Sequence, residues 1–139
     1  YELQANARQF ENFERFVAGQ LGLATAVDYA LKIGLDVIAE RIRQLVNMTV
    51  SALHELPGVV VHEHSTHRSG IITLHRQQEP AAELHARLAS EGINTSVVKA
   101  ANTRLDTQDG GRQDRLRASL HYYNSEAELE RFVHVLGAH

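Results

Sequence analysis

The chain contains no cysteine. That removes disulfides, thiolate metal sites and a cysteine nucleophile from what these residues can do. It is compatible with a reducing compartment, and the expected location is cytoplasmic. No apolar run approaches the roughly 20 residues needed to span a bilayer, and no signal-peptide pattern opens the chain. A basic excess is also missing: 14 basic against 17 acidic residues leave a formal charge of -3. Such a balance gives no electrostatic grip on nucleic acid or on an anionic membrane surface. There is no initiator Met, and the opening YELQANARQF is polar and uncapped. The expectation is a piece of something longer.

What is present is an ordinary globular composition, 43% hydrophobic and 22% charged over 139 residues. That is enough chain for one domain with a real core. Helical spacing of Phe16, Leu21, Leu23, Ala26, Val27, Ala30 and Leu31 predicts a helix over 17–33. Gly34 fits its end and Asp36 a new N-cap, with a second helix over about 37–56. Ile38, Ile42, Leu45, Val46, Thr49, Leu53 and Leu56 form that helix's apolar stripe. VVVHE (59–63) and GIITLHR (70–76) read as a strand pair. Pro80 and Gly92 bracket a third helix. INTSVV (93–98) and 116–122 supply two more strands, separated by a long polar loop over 99–114. Ser125 and Glu128 have capping-box spacing before a last helix. The order α, α, β, β, α, β, β, α predicts an α/β protein, a two-layer α+β sandwich. Its small antiparallel or mixed sheet of about four strands is covered by helices.

Several residues invite a chemical reading. HEHSTH (62–67) brings His62, His64 and His67 close in sequence, and imidazoles at such spacing can ligate zinc. No carboxylate is fixed beside them, so a solvated hairpin end is the plainer reading and no metal is expected. DGG (109–111) lacks the Gly-Lys-Ser/Thr of a phosphate loop. Tyr122 and Tyr123 fit strand packing. Arg117 alternates with Leu116 and Ala118. On pattern alone it is an edge-strand arginine facing water or a structural acid, although its fork suits a carboxylate.

RASLHYYNSEAELERFVHVL (117–136) carries more than alternation. It follows R-A-S-x-x-x-Y-N-T/S-x-x-E-[LIV]-[DE]-R. In this it resembles the C-terminal signature of class V aminotransferase-fold enzymes, the pyridoxal-phosphate family of cysteine desulfurases, selenocysteine lyases and isopenicillin-N-epimerase-like proteins. Residues 8–42 resemble the entry into that family's C-terminal domain. EGINTSVVKAANTRLD (91–106) resembles its strand and active-site loop.

The resemblance implies a fold-type I C-terminal (small) domain over 1–139, with 1–16 a connector from a large cofactor domain of the same protein. It implies a homodimer acting on an amino-acid-like small molecule. It also implies a Schiff base between the cofactor aldehyde and a lysine of the large domain. Arg117 matches the family arginine that holds the substrate α-carboxylate, and Arg104 falls in the matching loop as a second contact. Asn94 and Ser96 lie on the strand leading there, where packing is the plainer role.

Two departures bear on the chemistry. The catalytic cysteine of desulfurases is absent, which turns the expectation toward the epimerase, lyase or aminotransferase branches. Lys32 and Lys99 are the only lysines, and neither matches the cofactor lysine. No catalytic residue is therefore expected in this chain, its cofactor-binding residues are unknown, and in isolation it should be inert. A non-catalytic α/β module for binding or self-association is the competing expectation.

Overall fold

A computed structural model describes residues 5–10, 14–62, 69–102 and 113–138. Tyr1–Leu35 and Asp36–His139 form two compact units. The first contains a short 3-10 turn, Ala7–Phe10, and helix α1, Val17–Ile33. Gly34 ends α1 with a positive φ of 99°, and its N–H donates to the Ala30 carbonyl at 3.0 Å. None of α1's residues is buried. Asp28 and Lys32 are its only charged residues, and its apolar side chains occupy most of its circumference.

The second unit holds the rest of α2 (Leu35–His54), with α3 (Ala81–Ser90), α4 (Glu126–Gly137) and four strands. The strands are β1 (Val59–Val61), β2 (Ile71–Arg76), β3 (Ser96–Val98) and β4 (Arg115–Ser119). They form one sheet in the order β1-β2-β4-β3, and every pair is antiparallel. Ile72, Leu74, Leu116, Ala118 and Leu120 point to one face. There they pack into one core with Leu45, Val46, Val50 and Leu53 of α2, Leu84 and Leu88 of α3, and Leu129, Phe132 and Leu136 of α4. The result is the expected two-layer α/β sandwich, with helices on one side of the sheet. Among the described residues no helix is long and apolar enough to cross a membrane.

Local chemistry explains where the elements stop. At the end of α3, Ile93 N–H reaches the Leu88 carbonyl (2.9 Å) and Gly92 N–H reaches Ala89 (3.0 Å). This is a Schellman closure with Gly92 at φ 73°. It consumes residues 91–93, so β3 begins at Ser96, later than the strand pattern predicts. β4 ends at Ser119, before the tyrosines. Leu120 N–H donates to the Gly70 carbonyl at 2.6 Å. A Cβ on Gly70 would lie 2.3 Å from the Leu120 carbonyl oxygen, so only glycine allows the two backbones to approach this closely. Asn124 then folds the chain back: its Oδ1 accepts from His121 N–H (2.8 Å), and its own N–H donates to the His121 carbonyl (3.0 Å). This side-chain-to-backbone turn overrides the strand propensity of Tyr122 and Tyr123.

The capping box at Ser125 and Glu128 is fully formed. Asp36 is not an N-cap. α2 begins at Leu35 and puts Asp36 in its first turn, where a carboxylate still complements the helix dipole.

Candidate functional site

The second face of the sheet carries Thr73, His75, Arg115, Arg117, Ser119 and Ser96 among apolar residues. Antiparallel register sets its residues in rows, because directly opposed residues share a face. Thr73 and Ser96 stand opposite Arg117 on either side, on β2 and β3. Arg117 is exposed, and Ser119 follows it on the same face. The Cβ atoms of two hydroxyl-bearing residues thus flank that of Arg117 at about 5 Å across the strands. A fork of N–H donors flanked by hydroxyls is suited to a carboxylate.

A cleft of about 530 Å³ includes Arg117, Ser119, His121, Tyr123, Asn94 and Ser96 in its lining, together with Leu129 and Phe132 of α4. Asn94 is exposed and Ser96 partly so, so both belong to the cleft rather than the core. Its outer wall is held by Arg131, whose guanidinium donates to the Glu91 carbonyl at 2.5 Å and so ties α4 to the end of α3.

One row along the strand lies a feature that pattern reading of single segments missed. Arg115 is 7% exposed, and Val98 of β3 stands opposite it. Continuing the β2–β4 register puts His75 on its other side. Burial first, and the Arg115 charge second, hold His75 below the ordinary imidazole range. Its Nδ1 lies 2.7 Å from Nε2 of His62, with the rings 4.9 Å apart. The signal was available in the alternation Arg115, Arg117, Ser119, but the pairing with His75 needs the register. His62 is thus engaged with an imidazole from the next strand. His64 and His67 lie outside the described residues. Among the described residues no group of three or more His, Cys, Asp or Glu could hold a metal ion.

The loop over 99–114 is closed at its neck. Asp114 accepts from Lys99 Nζ (2.7 Å) and from Ala100 N–H (3.1 Å). The Lys99 hydrogen bond, then the backbone one, lowers the Asp114 carboxyl below its usual range. Arg104 lies outside the described residues.

The aminotransferase class-V family model matches residues 1–132. The chain belongs to this family. It is 30% identical over 129 residues to a probable cysteine desulfurase of Xylella fastidiosa, covering 92% of this chain and 30% of that protein. It is 25% identical over 135 residues to one of Borreliella burgdorferi, covering 96% and 32%. Among solved structures, the apo cysteine desulfurase of Thermococcus onnurineus superposes with a TM-score of 0.85 at 26% identity, over 99% of this chain and 34% of that one. A cysteine desulfurase of Escherichia coli shares the fold at TM-score 0.82 and 21% identity, over 96% and 33%. The chain thus spans about a third of the length of these class V relatives.

One fold neighbour, a C-DES variant at TM-score 0.58 and 19% identity, over 71% of this chain and 23% of that one, has glycine covalently linked to its PLP cofactor. The two lysines here do not fit such an anchor. A lysine that bonds to the cofactor must give up its proton, which desolvation or a cationic neighbour promotes. Lys99 is 56% exposed and paired with a carboxylate, the opposite setting. Lys32 is an exposed residue in the last turn of α1.

Proposed function

We propose that this class V chain is the C-terminal domain of a pyridoxal-phosphate-dependent enzyme, with Arg117 taking the α-carboxylate of an amino-acid-like substrate. The observation that carries this is the placement of Arg117. It is exposed, opposite Thr73 and Ser96 in the sheet register, and lines a cleft. The cofactor, when bound, supplies the electron sink, and a domain preceding residues 1–16 in the same protein holds it. This chain's residues act at the substrate end. Arg117 fixes the carboxylate by charge-assisted hydrogen bonds, and the neighbouring hydroxyls complete its orientation. Arg104 is the second carboxylate contact. The parent is a cytoplasmic homodimer. Without cysteine this segment contributes no thiol, which favours the epimerase, lyase or aminotransferase branches. Without a suitable lysine it is inert alone.

The test begins with visible absorbance of the full-length gene product after addition of pyridoxal phosphate, before and after borohydride. A band removed by reduction is expected. In the same protein, Arg117→Gln should weaken binding of simple carboxylates about tenfold or more, the range for a hydrogen bond to a charged group. A full-length product with no reducible band sinks the enzymatic reading.

The alternative, a non-catalytic binding or self-association module, draws on α1. Leu21 and Leu23 are each 66% exposed, and Phe16 just before the helix is 79% exposed. An apolar surface of this kind belongs against another surface.

A further inference from the structure

The cleft also presents aromatic rings. His121 and Tyr123 both line it. Their rings are stacked, with centroids 5.1 Å apart and planes within 10°. Tyr122 adds an edge contact to Tyr123 at 5.5 Å and 76°. Tyr123 nevertheless remains 68% exposed, and His121 is exposed too.

Such rings usually collapse into a core or sit on a mobile loop, and this stack does neither. Both hydrogen bonds of the turn at 121–124 close on Asn124. The next residue, Ser125, is locked into the capping box of α4. Arg41 of α2 donates to the Asn124 carbonyl at 3.0 Å, and its guanidinium also grips Glu126 in two places. The rings therefore ride on a turn fixed from three directions, the arrangement a recognition surface needs.

We propose that the His121–Tyr123 stack is a specificity-determining platform for an aromatic ring on the substrate's side chain. This rests on the Arg117 reading. With the carboxylate held at Arg117, His121 and Tyr123 line the same cleft. A substrate whose side chain carries a ring continues the stack by offset or edge-on contact, which an aliphatic side chain cannot do.

The test uses the full-length protein and isothermal titration calorimetry with two series. One is phenylacetate, phenylpropionate, phenylbutyrate and phenylhexanoate; the other is the matching alkyl carboxylates. The ring-bearing members should bind roughly three- to tenfold tighter than their alkyl counterparts, the range of an aromatic pair. Tyr123→Ala and His121→Ala should remove that increment and leave alkyl carboxylate affinity unchanged, while Tyr123→Phe should keep it and shows that the turn still folds. Equal affinities in the two series overturn the proposal, as does an increment that survives both alanine variants. Failure of the Arg117 reading has a different signature: Arg117→Gln then leaves all carboxylate affinities unchanged. In that case a ring increment lost in Tyr123→Ala still upholds the platform.

Discussion

The two faces of the sheet are built from the same strands and do opposite work. Leu116 and Ala118 of β4, and Leu120 just beyond it, pack under three helices. Arg115, Arg117 and Ser119, alternating with them, face away. The covered face makes the fold, because its apolar atoms leave water against α2, α3 and α4. The other face carries the charge and the hydroxyls, with Arg115 buried and Arg117 and Ser119 exposed. Stability and chemistry are thus separated by one residue along a single strand.

The largest effect should come from the covered face. Leu116 is fully buried, and Leu116→Ala should cost about 2–5 kcal/mol in urea denaturation. Arg117→Gln, its immediate neighbour, should change the same measurement by no more than about 0.5 kcal/mol while weakening carboxylate binding. A Gln variant that unfolds like the Ala variant would erase the division between the faces.

Next in size is the buried-edge ion cluster that closes the end of α4. Arg87 grips Glu79 with two hydrogen bonds (2.9 and 2.7 Å) and donates to the Val135 carbonyl (2.6 Å). Arg76 adds the Leu136 carbonyl (3.1 Å). Two arginines thus serve carbonyls at the helix C-terminus, where cations are favoured. Arg87→Ala should cost about 1.5–3 kcal/mol by the same denaturation. Its hydrogen bond first, then the charges of both arginines, holds the Glu79 carboxyl below its usual range. That part of the stability is present at neutral pH and lost as the carboxylate is protonated in acid.

Smaller again, Ser125→Ala should cost about 1 kcal/mol by removing the α4 cap. Hydrogen exchange should report faster opening of the first turn of α4, which adjoins the ring-bearing turn. The smallest effect concerns Glu126, whose carboxyl is pushed down to about 2, first by the Arg41 hydrogen bond. A lowered folded pKa means the unfolded chain binds more protons in between, so stability falls as pH drops from about 4.5 toward 2. Both partners are at the surface, so the slope should be shallow. Arg41→Ala should flatten it in an acid titration followed by circular dichroism, and an unchanged slope would remove this pair from the account.

Helix α1 and the core-facing helices differ in how far sequence could carry them. Of the stripe Ile38, Ile42, Leu45, Val46, Thr49, Leu53 and Leu56, the central residues Leu45, Val46, Thr49 and Leu53 are buried, and Ile38, Ile42 and Leu56 are half-buried. Apolar spacing in α1 predicts a helix over 17–33, and one is there, yet none of its residues is buried. Periodicity reports conformation, but burial requires a partner surface.

By itself the sequence determined the element types and their order, the capping box at Ser125, the glycine closure at Gly92 and the candidacy of Arg117. These depend on neighbours within a turn or a strand, where steric rules and hydrogen-bond geometry act locally. Only tertiary structure decided that β4 lies between β2 and β3. That placement sets Thr73 and Ser96 beside Arg117, while the β1–β2 register joins His62 to His75. It also stops β4 at Gly70 and turns His121 and Tyr123 into the cleft. Those outcomes come from register between segments far apart in the chain, and no local propensity encodes a register.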